Sequence, residues 1–266
     1  MFLIDSHCHL DQLNYNSLHR NVTDVIEKAK KRDVRLILAV CTMLSNFDQM
    51  KALIGSRNDV LFACGIHPLN LDKNDCYLEQ LRCIAARKDV VALGETGLDY
   101  SNIQQNTKKE QQKVFLEHIS IGNDQKKPII VHTRNAIDDT IALLREGKAD
   151  QCSGILHCFT EDRKIAKNIL DIGFYISFSG IVTFRNAEML RDTVRFVPLN
   201  RLLIETDSPY LTPVPYRGKE NQPAYVHEIA EYIATLKNIN LEKLAAVTTA
   251  NFCQLFNLKL NNLIVS

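Results

Sequence analysis

The feature that most constrains the fold is a rhythm. Eight short apolar runs recur along the chain, each followed by a loop and an amphipathic stretch. They are Phe2–Asp5, Leu36–Cys41, Val60–Ile66, Val90–Gly94, Pro128–His132, Gly154–His157, Phe174–Ser179 and Leu202–Glu205. Near-continuous apolar runs of this length suit parallel strands buried on both faces. Between them the apolar spacing lengthens to that of a helix. Val22, Val25, Ile26 and Ala29 recur at three and four residues. Ile165, Ile169, Leu170 and Ile172 share one side of a stretch that Gly173 stops. Pro223–Leu236 and Leu241–Phe256 read as two closing helices.

Eight strands alternating with helices predict an α/β protein of the (β/α)8 TIM-barrel class. An open, doubly wound sheet is the competitor, but it does not require eight strands of similar weight. No Pro/Gly/Ser-rich linker or composition shift interrupts the 266 residues, so 1–266 reads as one domain. Lys and Arg number 32 against 31 Asp and Glu, a formal charge of +1. That balance excludes a broad basic face for gripping nucleic acid, and any phosphate contact must be local. No run of 18 apolar residues is present to span a membrane. The start, with Asp5 and no basic stretch, does not read as a secretory signal. The eight cysteines form no CxxC pair, and Cys41 and Cys64 sit in apolar surroundings. Buried thiols in a reducing cytoplasm are the expectation.

The residues able to do chemistry sit where strands are expected to end. His7 and His9 follow the first run as HxH, Glu95 follows the fourth, His132 and His157 end the fifth and sixth, and Asp207 follows the eighth. All C-terminal strand ends of a barrel meet on one face, so these six should converge. In an extended chain His7 and His9 point the same way while Cys8 points elsewhere. Imidazoles with carboxylates suit Zn²⁺ or Mn²⁺, or Mg²⁺ if water completes the shell. Six such ligands are too many for one open catalytic ion. They are about right for two divalent ions, roughly 3.5–4 Å apart, sharing a carboxylate. His19, His118 and His227 fall in stretches read as helical and are expected to be core or surface residues.

DSHCHLD, GIHPL, GETGLDY, VHTR, LHCF, ETDSPYL, ENQP and NFCQLF occur in that order over essentially the whole chain. Together they resemble the TatD family of metal-dependent deoxyribonucleases and hydrolases. The sequence keeps HxH at the first strand, which some members lack. The resemblance implies an amidohydrolase-like TIM barrel. It also implies His7, His9 and Asp207 on one ion, His132 and His157 on the other, and Glu95 bridging them. The implied activity is phosphodiester hydrolysis, with DNA as the substrate partner.

Residues beyond that set are candidates for binding and proton transfer. His67, aimed by Pro68, is placed to donate to a scissile phosphate or its leaving oxygen. Arg134 shares the direction of His132 if the strand stays extended, and a guanidinium there suits a phosphate. A surface ion pair is its alternative role. Arg217, beside Gly218 in the long last loop, is a second binding candidate, and Asn221 and Pro223 shape that loop. Tyr100, Phe159 and Tyr210 follow ligand motifs, where each would stack one base or pack into a loop. The Lys-rich stretches around Lys31, Lys109 and Lys126 read as solvated helix faces. Asp207 and Glu95 are expected to act on a two-metal-activated water. Ser208 has no partnered base, which disfavours a covalent route. The alternative reading is a small-molecule amide, lactone or phosphoester hydrolase, since fold alone does not choose. A non-catalytic metal-dependent scaffold is a third, but four closed ligands would serve it. No obligate protein partner is signalled.

Overall fold

Side-chain alternation along the strands sorts most of the apolar residues into two cores. The computed structural model describes residues 2–71, 76–101 and 105–259, so both ends of the expected 1–266 domain lie outside the described residues. Eight strands pair in chain order, every neighbour parallel: β1 (Leu3–Cys8), β2 (Val34–Cys41), β3 (Val60–Cys64), β4 (Val90–Asp99), β5 (Ile129–Arg134), β6 (Gly154–Leu156), β7 (Tyr175–Phe178) and β8 (Leu202–Ile204). Leu3, Val34, Ile37, Ala39 and Cys41 face outward, into the core shared with the helices. Ile4, Leu36, Leu38, Val40, Ala92, Ile130, Ile155 and Leu203 face inward, where they form a separate cluster. Each such Val, Leu or Ile side chain, fully buried, contributes about 1.5–3 kcal/mol.

The helices are α1 (Val22–Lys30), α2 (Phe47–Ile54), α3 (Tyr77–Ala85), α4 (Gln105–Gln125), α5 (Ile137–Glu146), α6 (Arg163–Asp171), α7 (Glu188–Phe196), α8 (Val226–Leu236) and α9 (Leu241–Leu255). Asn21, Asp162 and Asn240 cap α1, α6 and α9 by accepting an N–H three residues on, each worth about 1 kcal/mol. Gly173 takes φ +90° just past α6 and ends it as expected. Phe252 and Leu255 of the last helix, with Phe256 just after it, join the inner cluster. Asn251 Nδ2 donates to Leu199 O and Leu202 O at 2.7 and 2.8 Å, so α9 plugs the end of the barrel where β8 begins.

Three strands run further than their apolar runs suggested: β5 reaches Arg134, and two others continue further still. β1 continues through His7 to Cys8, and β4 continues through Glu95 to Asp99. In both, three steps on one strand match two on the next. Asp5 to Cys8 spans Ile37 to Ala39, and Leu93 to Thr96 spans Ile129 to Val131. Each extra residue is a bulge, which breaks the alternation and re-aims the side chains beside it. Gly97 belongs to the same irregular stretch. Its φ is +134°, and an added Cβ would lie 2.1 Å from His132 O, so only glycine lets β4 and β5 approach here.

The barrel closes through loop residues rather than a ladder. Asp207 N donates to His7 O at 2.9 Å, and His9 N donates to Ser208 O at 2.9 Å. Asp5 reinforces this seam from within. Its carboxylate accepts from Thr206 N at 2.8 Å and Thr206 Oγ1 at 2.5 Å. Burial pushes the Asp5 carboxyl up to about 8, against these hydrogen bonds.

Cys8, Cys41, Cys64, Cys152 and Cys253 are buried as expected, whereas Cys76 and Cys83 are exposed. His19 lies in the loop before α1, buried, and not on a helix. His227 opens α8, where Nδ1 donates to Arg32 O at 3.2 Å. Among the described residues no helix is long and apolar enough to cross a membrane.

His118, in the middle of α4, is fully buried, and burial pushes its pKa down to about 4. Because the folded value lies below the ordinary 6.5, its contribution to stability is full above about pH 6.5 and is lost as pH falls toward 4. His118→Gln should therefore show a shallower loss of stability across that window in urea unfolding. An unchanged slope between pH 6.5 and 4 would place the titration elsewhere.

Candidate metal centre

Each residue of the expected set is delivered by the C-terminal end of a strand. β1 and its continuation carry His7 and His9, β4 carries Glu95, and β5 carries His132. His157 directly follows β6, and Asp207 follows β8 in a left-handed conformation, φ 56°. They meet around one side chain, Glu95, which is 4 % exposed.

Glu95 turns its two oxygens toward different histidines. Oε2 lies 3.4 Å from His7 Nε2 and 3.6 Å from His9 Nε2. Asp207 Oδ1 completes that side, 3.7 and 3.5 Å from the same two nitrogens, which are themselves 3.3 Å apart. His7 Nε2, His9 Nε2 and Glu95 Oε2 lie 3.3–3.6 Å from one another, close enough for one ion to touch all three. Glu95 Oε1 faces the other side. His132 Nδ1 and His157 Nε2 each lie 2.9 Å from it, and His67 Nε2 lies 3.4 Å away.

The far nitrogen of each ring decides which form faces the centre. His9 Nδ1 donates to Val40 O at 3.1 Å, which leaves Nε2 as a lone pair aimed inward. His132 Nε2 faces Asp99 Oδ2 at 3.2 Å, freeing Nδ1 in the same way. His157 Nδ1 lies 3.4 Å from Glu205 Oε1. His67 is the opposite case. Its Nδ1 accepts Leu69 N–H at 3.1 Å, so a neutral ring carries its proton on Nε2, facing the centre. His9, His132 and His157 have the geometry of ligands, and His67 that of a donor. The buried Nδ1 atoms of His7 and His157 have no hydrogen-bond partner.

Electrostatics follow from the crowding. Burial opposes ionisation of Glu95, but the charge of His157 and the bonds from His132, His157 and His67 hold it well below the usual range. Asp207 is held low by His9, His7 and His157 against the same burial. Burial disfavours charge on the rings as well, yet Asp207 and Glu95 push His9 up to about 9. Glu95 and Glu205 raise His157, and Asp99 and Glu95 raise His132. Burial and His157 lower His7. Without an ion the carboxylates are thus balanced by protons on imidazoles, and a cation entering the cage must displace them.

A cavity of about 760 Å³ opens over this cluster. Its walls include His9, His67, Glu95, Asp99, His132, His157 and Asp207, with Leu69, Ile181, Tyr210 and Leu211 as apolar surface. β5 stays extended through Arg134, which is exposed and lines the same cavity. Arg217 does not line it. Its guanidinium lies 3.8 Å over the Phe184 ring and donates to Thr212 O at 2.8 Å, bracing the last loop. Asn221 braces that loop too, through Thr206 O and Tyr210 O. Of the three aromatics, Tyr210 is 52 % exposed on the cavity wall, Phe159 is buried, and Tyr100 is turned to Asp139. Ser208 Oγ faces Thr206 Oγ1 and Cys8 Sγ rather than a base.

Two acids were missed in the sequence, Asp99 and Glu205. Burial opposes the charge on Asp99, and His132 and Ser101 outweigh it, so its carboxyl sits below the usual range. Glu205 Oε1 accepts Cys158 N–H at 2.7 Å. Their signal was present: each sits inside a ligand motif, Asp99 four residues after Glu95 and Glu205 two before Asp207.

The chain and its architecture have counterparts. A family model described as TatD related DNase matches residues 4–257. A protein of Escherichia coli strain K12 named as an uncharacterized metal-dependent hydrolase, YcfH, is 60 % identical over 264 residues, 99 % of this chain and 98 % of its own. YabD of Bacillus subtilis strain 168, named likewise, is 38 % identical over 96 % of this chain and 99 % of its own. The crystal structure of YJJV, a TatD homolog from Escherichia coli K12, superposes with a TM-score of 0.87 at 27 % identity, covering 97 % of this chain and 98 % of that one. With the match running from β1 to the residues just past α9, the chain belongs to the TatD-related DNase family.

Proposed function

We propose that this chain is a metal-dependent hydrolase that cleaves phosphodiester bonds, with DNA as its substrate, using two divalent ions. The observation that carries this reading is Glu95, a single buried carboxylate with one oxygen toward His7 and His9 and the other toward His132 and His157. His7, His9, Glu95 and Asp207 would hold one ion, and Glu95, His132 and His157 the other, whether Zn²⁺, Mn²⁺ or Mg²⁺. When bound, such ions lower the pKa of a shared water and offset charge on the phosphoryl oxygens. The family match and the names of the relatives support hydrolysis, and the buried thiols agree with a cytoplasmic setting.

The chain's own groups supply the rest. Asp207, charged and at the cavity wall, orients the attacking water and accepts its proton at a carboxylate oxygen. His67 donates from Nε2 to the leaving oxygen, and the Leu69 N–H on its Nδ1 keeps the proton on that side. Arg134 pairs with a neighbouring phosphate. Arg217 is set aside as a phosphate contact because it is committed to Phe184 and Thr212. A small-molecule substrate is the second reading, favoured by the apolar surface of Leu69, Ile181 and Leu211 in the cavity.

The metal assignment predicts about two divalent ions per reconstituted chain by elemental analysis. Glu95→Gln should lower occupancy of both positions, and full occupancy with undiminished turnover would sink the bridging role. For the substrate, Arg134→Ala should raise KM for an oligonucleotide by a factor equivalent to roughly 1–3 kcal/mol and leave an uncharged ester unaffected. Binding of single strands should fall with salt at a log–log slope near −1 to −3, given so few cations. Salt-independent turnover of esters or amides, with no oligonucleotide cut under any of the three metals, selects the second reading. His67→Ala should lower kcat by about 10²-fold for a poor alkoxide leaving group and much less for nitrophenolate. Equal losses on both would remove His67 as the donor.

A further inference from the structure

Helix α4 lies outside the barrel, yet it buries two polar side chains against the loops that carry one half of the cluster. Gln111 is 2 % exposed and His118 not at all. Seven residues apart, they share one face two turns long. His118 Nδ1 donates to Val114 O at 2.8 Å, so its Nε2 is an acceptor, and it takes Ile66 N–H at 3.1 Å. Gln111 Nε2 donates to Pro68 O at 3.2 Å and to Asp99 O at 3.1 Å, while its Oε1 accepts Asp99 N–H at 2.9 Å. The gripped atoms have a pattern. Ile66 and Pro68 flank His67. Asp99, held on both of its backbone groups, presents its carboxylate to His132 Nε2. The His67 and His132 rings lie 4.5 Å apart between these two anchors.

We infer that Gln111 and His118 are positioning residues: α4 fixes the donor direction of His67 and, through Asp99, the ring of His132. Buried polar groups on a helix are costly unless satisfied, and these two spend their bonds on the backbone around the cluster. Gln111 is the shared element, since one amide ties the His67 loop to Asp99. Neither residue touches substrate. This rests on the roles given above to His67 and His132.

Gln111→Met keeps length and packing and removes all three bonds. Gln112→Met is its control, because the neighbouring amide donates to Tyr100 Oη and Asp139 Oδ2, away from the cluster. Gln111→Met should lower kcat by about 10- to 100-fold, the range for outer-sphere partners. KM should stay within about threefold, and Gln112→Met should stay near wild type. Gln111→Glu, which keeps only the acceptor for Asp99 N–H, should fall between. In the metal-free protein, Gln111→Met should also speed hydrogen exchange at the Asp99 amide and move the ring ¹⁵N signals of His67 and His132. Unmoved signals, or an equal loss in Gln112→Met, overturn the inference. If wild type cuts no phosphodiester but the exchange and ring signals respond to Gln111→Met alone, the brace stands and the substrate reading fails.

Discussion

Everything at the barrel mouth depends on the burial of one negative charge. Moving a carboxylate out of water costs several kcal/mol unless charges and hydrogen bonds replace the solvent. At Glu95 the replacement comes from five histidines delivered by four strands, none of which lies more than 3.6 Å from a carboxylate oxygen. A charge so placed cannot be accommodated by any local segment. It requires the strand ends to be brought together, and a closed parallel barrel does that. The two acids behind the rings, Asp99 beside His132 and Glu205 beside His157, follow from the same demand. With Nδ1 of His132 turned inward, its Nε2 finds an acceptor in Asp99, and Glu205 stands 3.4 Å from His157 Nδ1.

The eight-strand plan and the identity of the converging residues were legible in the sequence, because buried parallel strands write themselves as apolar runs and their C-terminal ends share a face. The strand ends were not legible at β1 and β4. There, His7 and Glu95 follow the apolar run and look like loop residues, whereas bulges let the ladder continue beneath them. Hydrophobicity carries no mark of a ladder that continues under polar side chains. The direction of a long side chain was equally hidden. Arg134 and Arg217 read alike in sequence, but β5 stays extended to aim the first into the cavity, and Phe184 captures the second. His118 and Gln111 could not be found from spacing, since a polar residue on a helix announces solvent far more often than a buried backbone partner.

The mouth itself is spare. Arg134 is the one arginine on the cavity wall, where no lysine is found among the described residues, and Tyr210 is the one aromatic ring apart from the histidines. A ligand therefore gains most of its affinity at the centre rather than along an extended track, consistent with a near-neutral chain. The outer surface is left to ordinary helix faces. Pairs such as Lys167 with Asp171 are largely exposed and contribute little.

The seam has a consequence of its own. β1 and β8 are joined through Cys8 and Ser208, 200 residues apart, and by backbone bonds at His7, His9, Asp207 and Ser208. The same stretch supplies three corners of the cage. An ion held by His7, His9 and Asp207 would rivet the first strand to the segment that follows the last, closing a loop of 200 residues. The entropic gain of such a clip grows only with the logarithm of loop length, but here it falls where the ladder is thinnest. The barrel would then be a hoop whose clasp is its reactive centre, so that wear at the clasp and loss of chemistry are one event.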